Sequence, residues 1–150
     1  MSESTKTFDI SLKLLENYVF EVDFGEFGNV MTDEPPPLGG GEGPNPSAML
    51  AAAVANCMAA SLLFAMRKHK DDPGELRAVV TGTVERVEKF LRVTRLDVKL
   101  HLGKAQADLP SLVKAVSQFE NFCVVTQSVR HGIEVSVEVF DASGELIGVH

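Results

Sequence analysis

Cys57 and Cys123 are the residues of this 150-residue chain best suited to chemistry. Cys57 sits in a small-residue apolar run, Pro46-Ser47-Ala48-Met49-Leu50-Ala51-Ala52-Ala53-Val54-Ala55-Asn56-Cys57-Met58-Ala59-Ala60-Ser61-Leu62-Leu63. Cys123 sits in Asn121-Phe122-Cys123-Val124-Val125-Thr126-Gln127-Ser128-Val129. A thiolate is a nucleophile, and a second thiol can trap its sulfenic acid as a disulfide. Two inert core cysteines would have the same surroundings. Two cysteines cannot build a disulfide scaffold, and no Cys-x-x-Cys or Cys/His cluster points to zinc. His69, His101, His131 and His150 are scattered and read as surface or singly hydrogen-bonded histidines rather than metal ligands. No metal and no cofactor are implied.

The elements that must position the thiols follow from periodicity. Residues 8–14 alternate Phe8, Ile10, Leu12 and Leu14 with polar residues, the period of a half-buried strand. Residues 18–24 repeat it with Tyr18, Phe20, Val22 and Phe24, so 8–24 reads as a hairpin turning at Leu15-Glu16-Asn17. A third strand is expected at 27–31. Residues 33–46 are rich in Pro and Gly and read as a flexible loop. No Gly-Lys-Ser/Thr follows those glycines, so a phosphate cradle is not expected.

A helix is expected from Ser47 to about Lys68. It is apolar all round, with Asn56 as a polar residue inside it. A helix of this kind is either buried on all sides or crosses a membrane. Asn56, Ser61 and Ser47 interrupt the run and amphipathic strands flank it, so the buried reading is preferred. One small chain cannot wrap a helix of about 30 Å, which predicts a homodimer with these helices at its centre. Strands follow at 76–89 and 93–102, with a bulge expected near Val84/Val87 and Val93/Leu96. A helix starting at Asp108 or Pro110 presents Leu112, Val113, Val116 and Phe119, and Cys123 opens a short helix closed by Gly132. Strands at 133–140 and 146–149 complete the order. It lacks a β-α-β rhythm, so the class is α+β in a single domain over 1–150.

Composition limits the partners. The formal net charge is −7 with no basic cluster, which argues against nucleic acid and anionic membrane. Met1 to Asp9 has no apolar stretch of a secretory signal, so the thiols are expected to be cytoplasmic and reduced at rest.

Two segments and the element order resemble the OsmC/Ohr family, osmotically inducible protein C and the organic hydroperoxide resistance proteins. The segments are Gly43-Pro44-Asn45-Pro46-Ser47 leading into Leu50 to Cys57, and the second cysteine at 123. The resemblance covers nearly the whole chain. It implies an intertwined α+β dimer, with antiparallel sheets around the cysteine-bearing helix. It also implies a thiol-dependent peroxidase in which Cys57 attacks an organic or lipid hydroperoxide, Cys123 resolves the sulfenic acid, and a thiol reductant closes the cycle.

The chain departs from that family at three places. The family's activating arginine lies in the N-terminal strands, but the first arginine here is Arg67. The family's glutamate at the start of the helix is replaced by Ser47, Ala48 and Met49, and the proline after the second cysteine by Val124. Glu42 and Ser47 are therefore carried as auxiliary candidates. Without a cation, burial should raise the pKa of Cys57, while the start of its helix should lower that of Cys123. Asn56 is expected to be a satisfied core hydrogen-bonder, Phe119, Phe122 and Phe140 core residues, one of which could line a pocket, and Arg130-His131 a helix C-terminal pair. The competing function is a non-catalytic dimer of the same fold that binds a small lipophilic ligand, with structural cysteines.

Overall fold

A computed structural model describes residues 4–149; His150 and the first three residues of the N-terminal segment considered above lie outside them. The chain divides into two compact units, one ending at Met49 and one starting at Leu50.

The first unit is a three-stranded antiparallel meander, β1 (Ser11–Glu16), β2 (Val19–Asp23) and β3 (Asn29–Thr32). The hairpin turns one residue later than expected, where Asn17 adopts a left-handed φ of 47°. Only Val19 and Val22 of β2 are buried in the first two strands. Leu12 and Leu14 of β1 are exposed, against the half-buried expectation.

The segment after β3 is ordered rather than flexible. The buried Asp33 carboxylate accepts the backbone N–H groups of Glu34 (2.7 Å), Gly40 (3.2 Å) and Glu42 (3.0 Å). The hydrogen bond from the Glu42 N–H, opposed by burial and joined by those from the other loop N–H groups, holds the Asp33 carboxyl below its ordinary value. Gly43 runs so close to β3 that a Cβ there would sit 2.6 Å from the Met31 carbonyl oxygen. The loop delivers the chain to α1 (Pro46–Lys68). Asn45 Oδ1 accepts the Ala48 N–H at 2.9 Å, so Asn45 caps the helix and Pro46 takes the first helical position, where a missing N–H costs nothing.

The second unit holds the rest of α1 and a four-stranded sheet in the order β4 (Leu76–Val87), β5 (Phe90–Leu102), β6 (Glu134–Phe140), β7 (Leu146–Val149). The ladder between β4 and β5 slips where expected. Thr83 faces Arg95 and Val84 faces Val93, leaving Thr94 without an opposite residue. The sheet is not wholly antiparallel as the resemblance implied: β5 and β6 run parallel. A parallel pair needs a crossover, and α2 (Leu112–Gln118), a 3-10 turn over Phe119–Phe122 and α3 (Val124–Val129) supply it.

Alternation along β5 and β6 puts Leu96, Val98, Leu100, Val135, Val137 and Val139 on one face. They share a core with Val54, Met58, Leu62 and Met66 of α1 and with Leu112, Val116 and Phe119. α1 has mean hydropathy 1.9 and is long enough to cross a membrane, but this stripe makes it a core helix. It is not buried on all sides. Ala52, Ala53, Asn56, Ala60 and Phe64 are exposed, because the sheet and α2 cover only one face. Asn56 is therefore a surface residue and not a core hydrogen-bonder.

Candidate functional site

Both cysteines belong to the second unit, and the fold brings them together. Cys57 is in the middle of α1; Cys123 is the residue before α3. Both are free thiols, Cys57 half-buried and Cys123 buried. Their side chains are neighbours, and each shifts the pKa of the other.

The surroundings of the two sulfurs differ. Burial pushes the Cys57 thiol up, but four hydrogen bonds outweigh it. They come from the Cys123 thiol, the Val125 N–H, the Ser61 hydroxyl and the Thr126 N–H, and Cys57 ends below its ordinary value of 9.0. Ser61 lies one turn along α1 on the same face. Cys123 is pushed above its ordinary value, by burial first and by its neighbour Cys57, although hydrogen bonds from Thr126 work the other way. Both expectations from the sequence are thus reversed. The N–H groups of the residues after Cys123 serve Cys57, across the fold, and no cation is needed to favour its thiolate. Hydrogen bonds to the charged form lower a pKa wherever the donors come from.

Cys57 opens on a groove of about 440 Å³ lined with Ala60, Ser61, Phe64 and Phe122. Phe64 and Phe122 meet edge to face at 5.0 Å, and the Lys68 ammonium stands 5.6 Å from the Phe122 ring. Phe122 is therefore 39 % exposed and lines the groove. Phe119 is core, as expected, and Phe140 is half-buried and stacked on His101 at 5.2 Å. Cys123 does not line the groove, so a molecule entering it meets Cys57 first.

The remaining candidates take other roles. Arg130 follows the last residue of α3 and pairs with Glu120 at 2.6 Å, so it is engaged structurally rather than as a cation for the thiols. Glu42 is exposed on the Asp33-centred loop of the first unit, and Ser47 is half-buried in the first turn of α1, ten residues before Cys57. Among the described residues, no group of three or more His, Cys, Asp or Glu side chains could hold a metal ion. Sequence reasoning missed Thr126, whose Oγ1 is 2.8 Å from the Cys123 sulfur. The signal was present: Cys123 and Thr126 have the cap-to-third-position spacing of a helix start.

Arranged in this way, the thiol whose pKa is lowered faces an apolar groove and the thiol whose pKa is raised lies behind it. Comparison with known proteins agrees in fold. A family model described as OsmC-like protein matches residues 39–138. The solved structure of an OsmC-like protein from Mycoplasma pneumoniae superposes with a TM-score of 0.73 at 15 % identity, covering 92 % of this chain and 99 % of that one. An organic hydroperoxide resistance protein OsmC from Legionella pneumophila gives 0.67 at 19 % identity, covering 91 % and 98 %. An OsmC-like protein of unknown function from Vibrio cholerae gives 0.71 at 16 % identity, covering 89 % and 100 %. No curated protein matches the chain.

Proposed function

The chain belongs to the OsmC-like protein family, and from that premise we propose that it is a thiol-dependent peroxidase that reduces organic or lipid hydroperoxides. One observation carries the reading. Of two neighbouring cysteines, the one facing the apolar groove is the one whose pKa is lowered.

In the first step the Cys57 thiolate attacks the terminal peroxide oxygen. The S–O bond forms, the O–O bond breaks, and the alkoxide takes a proton to leave as the alcohol. In the second step the Cys123 sulfur attacks the Cys57 sulfenic acid. The S–S bond forms, the S–O bond breaks, and the Cys123 proton leaves with the hydroxide as water. A thiol reductant then returns both cysteines by exchange, ending as its own disulfide. Phe64 and Phe122 offer apolar surface to the organic part of the substrate. Glu42 and Ser47, on the loop and first turn that lead into α1, are auxiliary candidates. The protein works in the cytoplasm as a homodimer built on the exposed face of α1.

Mass spectrometry after cumene hydroperoxide treatment tests the reading. The parent protein forms one Cys57–Cys123 disulfide. Cys57→Ser consumes no peroxide, and Cys123→Ser completes one turnover and then over-oxidises Cys57 to the sulfinic acid. An unmodified Cys57 in folded protein overturns the reading. The groove would then serve the second function, binding a small lipophilic ligand, which the lack of any arginine before Arg67 favours.

A further inference from the structure

The two-step scheme leaves Thr126 unused, although its side chain is wholly buried against the thiol pair. A buried hydroxyl needs a partner. In the structure the Cys123 thiol donates to the Thr126 hydroxyl at 2.8 Å. The same thiol also neighbours Cys57, whose pKa it lowers. It has one proton and cannot donate to both at once. A hydroxyl has a proton of its own and also accepts. Thr126 can therefore receive the Cys123 proton when both thiols are neutral. It can instead donate to the Cys123 sulfur when that proton turns toward a Cys57 thiolate.

We propose that Thr126 is a positioning residue of the thiol pair, holding the Cys123 sulfur toward Cys57 and exchanging acceptor for donor as the Cys123 proton moves. In its second half this rests on the peroxidase reading. As the Cys123 sulfur attacks the Cys57 sulfenic acid and its proton departs in water, the Thr126 O–H remains to donate to the sulfur that is losing a proton.

Thr126→Val retains the shape and removes the hydroxyl; Thr126→Ser retains the hydroxyl. Thr126→Ala removes it without a second methyl, should the valine variant fail to fold. Two readouts are taken on folded protein. One is the pH dependence of Cys57 alkylation by iodoacetamide, without peroxide. The other is single-turnover disulfide closure after one equivalent of cumene hydroperoxide, quenched and followed by mass spectrometry. The Val and Ala variants should move the alkylation midpoint of Cys57 upward and slow closure by about five- to tenfold, the effect of one hydrogen bond. The Ser variant should stay near the parent. Parent-like behaviour of either hydroxyl-free variant in both readouts overturns the proposal and leaves the peroxidase reading standing. A parent protein inert to peroxide, with an alkylation midpoint that still moves in Thr126→Val, retains the Thr126 assignment and removes the peroxidase reading instead.

Discussion

The Cys57 pKa is lowered by hydrogen-bond donors rather than by a positive charge, and this has a consequence for pH. Against the upward push of burial, the Cys123 thiol, the Val125 and Thr126 N–H groups and Ser61 hold its pKa below 9.0. A lowered pKa means that the thiolate persists as pH falls below 9.0 and is lost only at the lower, folded value. The rate of Cys57 with peroxide should therefore be flat at alkaline pH and fall through a midpoint below 9.0. A stopped-flow pH profile with its midpoint at or above 9.0 would contradict the assignment. The same sign applies to stability. The Cys57 contribution is fully present above the unfolded thiol value and disappears as pH drops through the folded one. Ser61 was visible in the sequence one turn after Cys57. The two N–H groups were not, since a backbone donor has no sequence signature of its own.

At the scale of elements, the loop between β3 and α1 shows how composition can mislead. Its prolines and glycines exclude regular structure, and residues 33–45 form neither helix nor strand. Flexibility did not follow, because Asp33 gathers three N–H groups into one buried carboxylate. Gly43 is there for space, not for freedom. A methyl group at that position meets the Met31 carbonyl oxygen at 2.6 Å and backbone atoms of Met31 and Thr32 within 3.3 Å. Backbone cannot give way as a side chain can. Gly43→Ala should destabilise the protein by about 1–3 kcal/mol, the usual cost of overpacking. Urea unfolding checks this; a stability change within about 0.5 kcal/mol, the range for inert surface positions, would show that the loop can move away from β3.

For the whole molecule, the exposed apolar surface is the main unexplained quantity in a single chain. On α1 it comprises Ala52, Ala53, Ala60 and Phe64, the last 56 % exposed. Contiguous apolar surface of this kind marks an association site. The small α1 residues admit close approach of a second helix. Sedimentation should find a stable dimer at micromolar concentration. Ala53→Glu, which places a charge on the exposed face of α1, should shift it toward monomer with its far-ultraviolet circular dichroism unchanged. A monomeric parent protein would remove the dimer, and the reason for an apolar outer face on α1 would have to be sought elsewhere.

Local pattern alone determined the α+β class, the order of the elements, the slip near Val84 and Val93, and the choice of Cys57 and Cys123 as the pair to watch. Periods of two and 3.6, a proline at a helix start and a slip in the alternation are properties of neighbours along the chain. Tertiary structure decided what depends on distant segments meeting. The crossover through α2 and α3 made β5 and β6 parallel and brought the Val125 and Thr126 N–H groups to a thiol on α1. Which cysteine has the lowered pKa was therefore not legible from either flanking sequence: burial alone argued for a raised Cys57, and the helix start alone for a lowered Cys123. The donors belong to one segment and the sulfur they serve to another, and only the folded chain joins them.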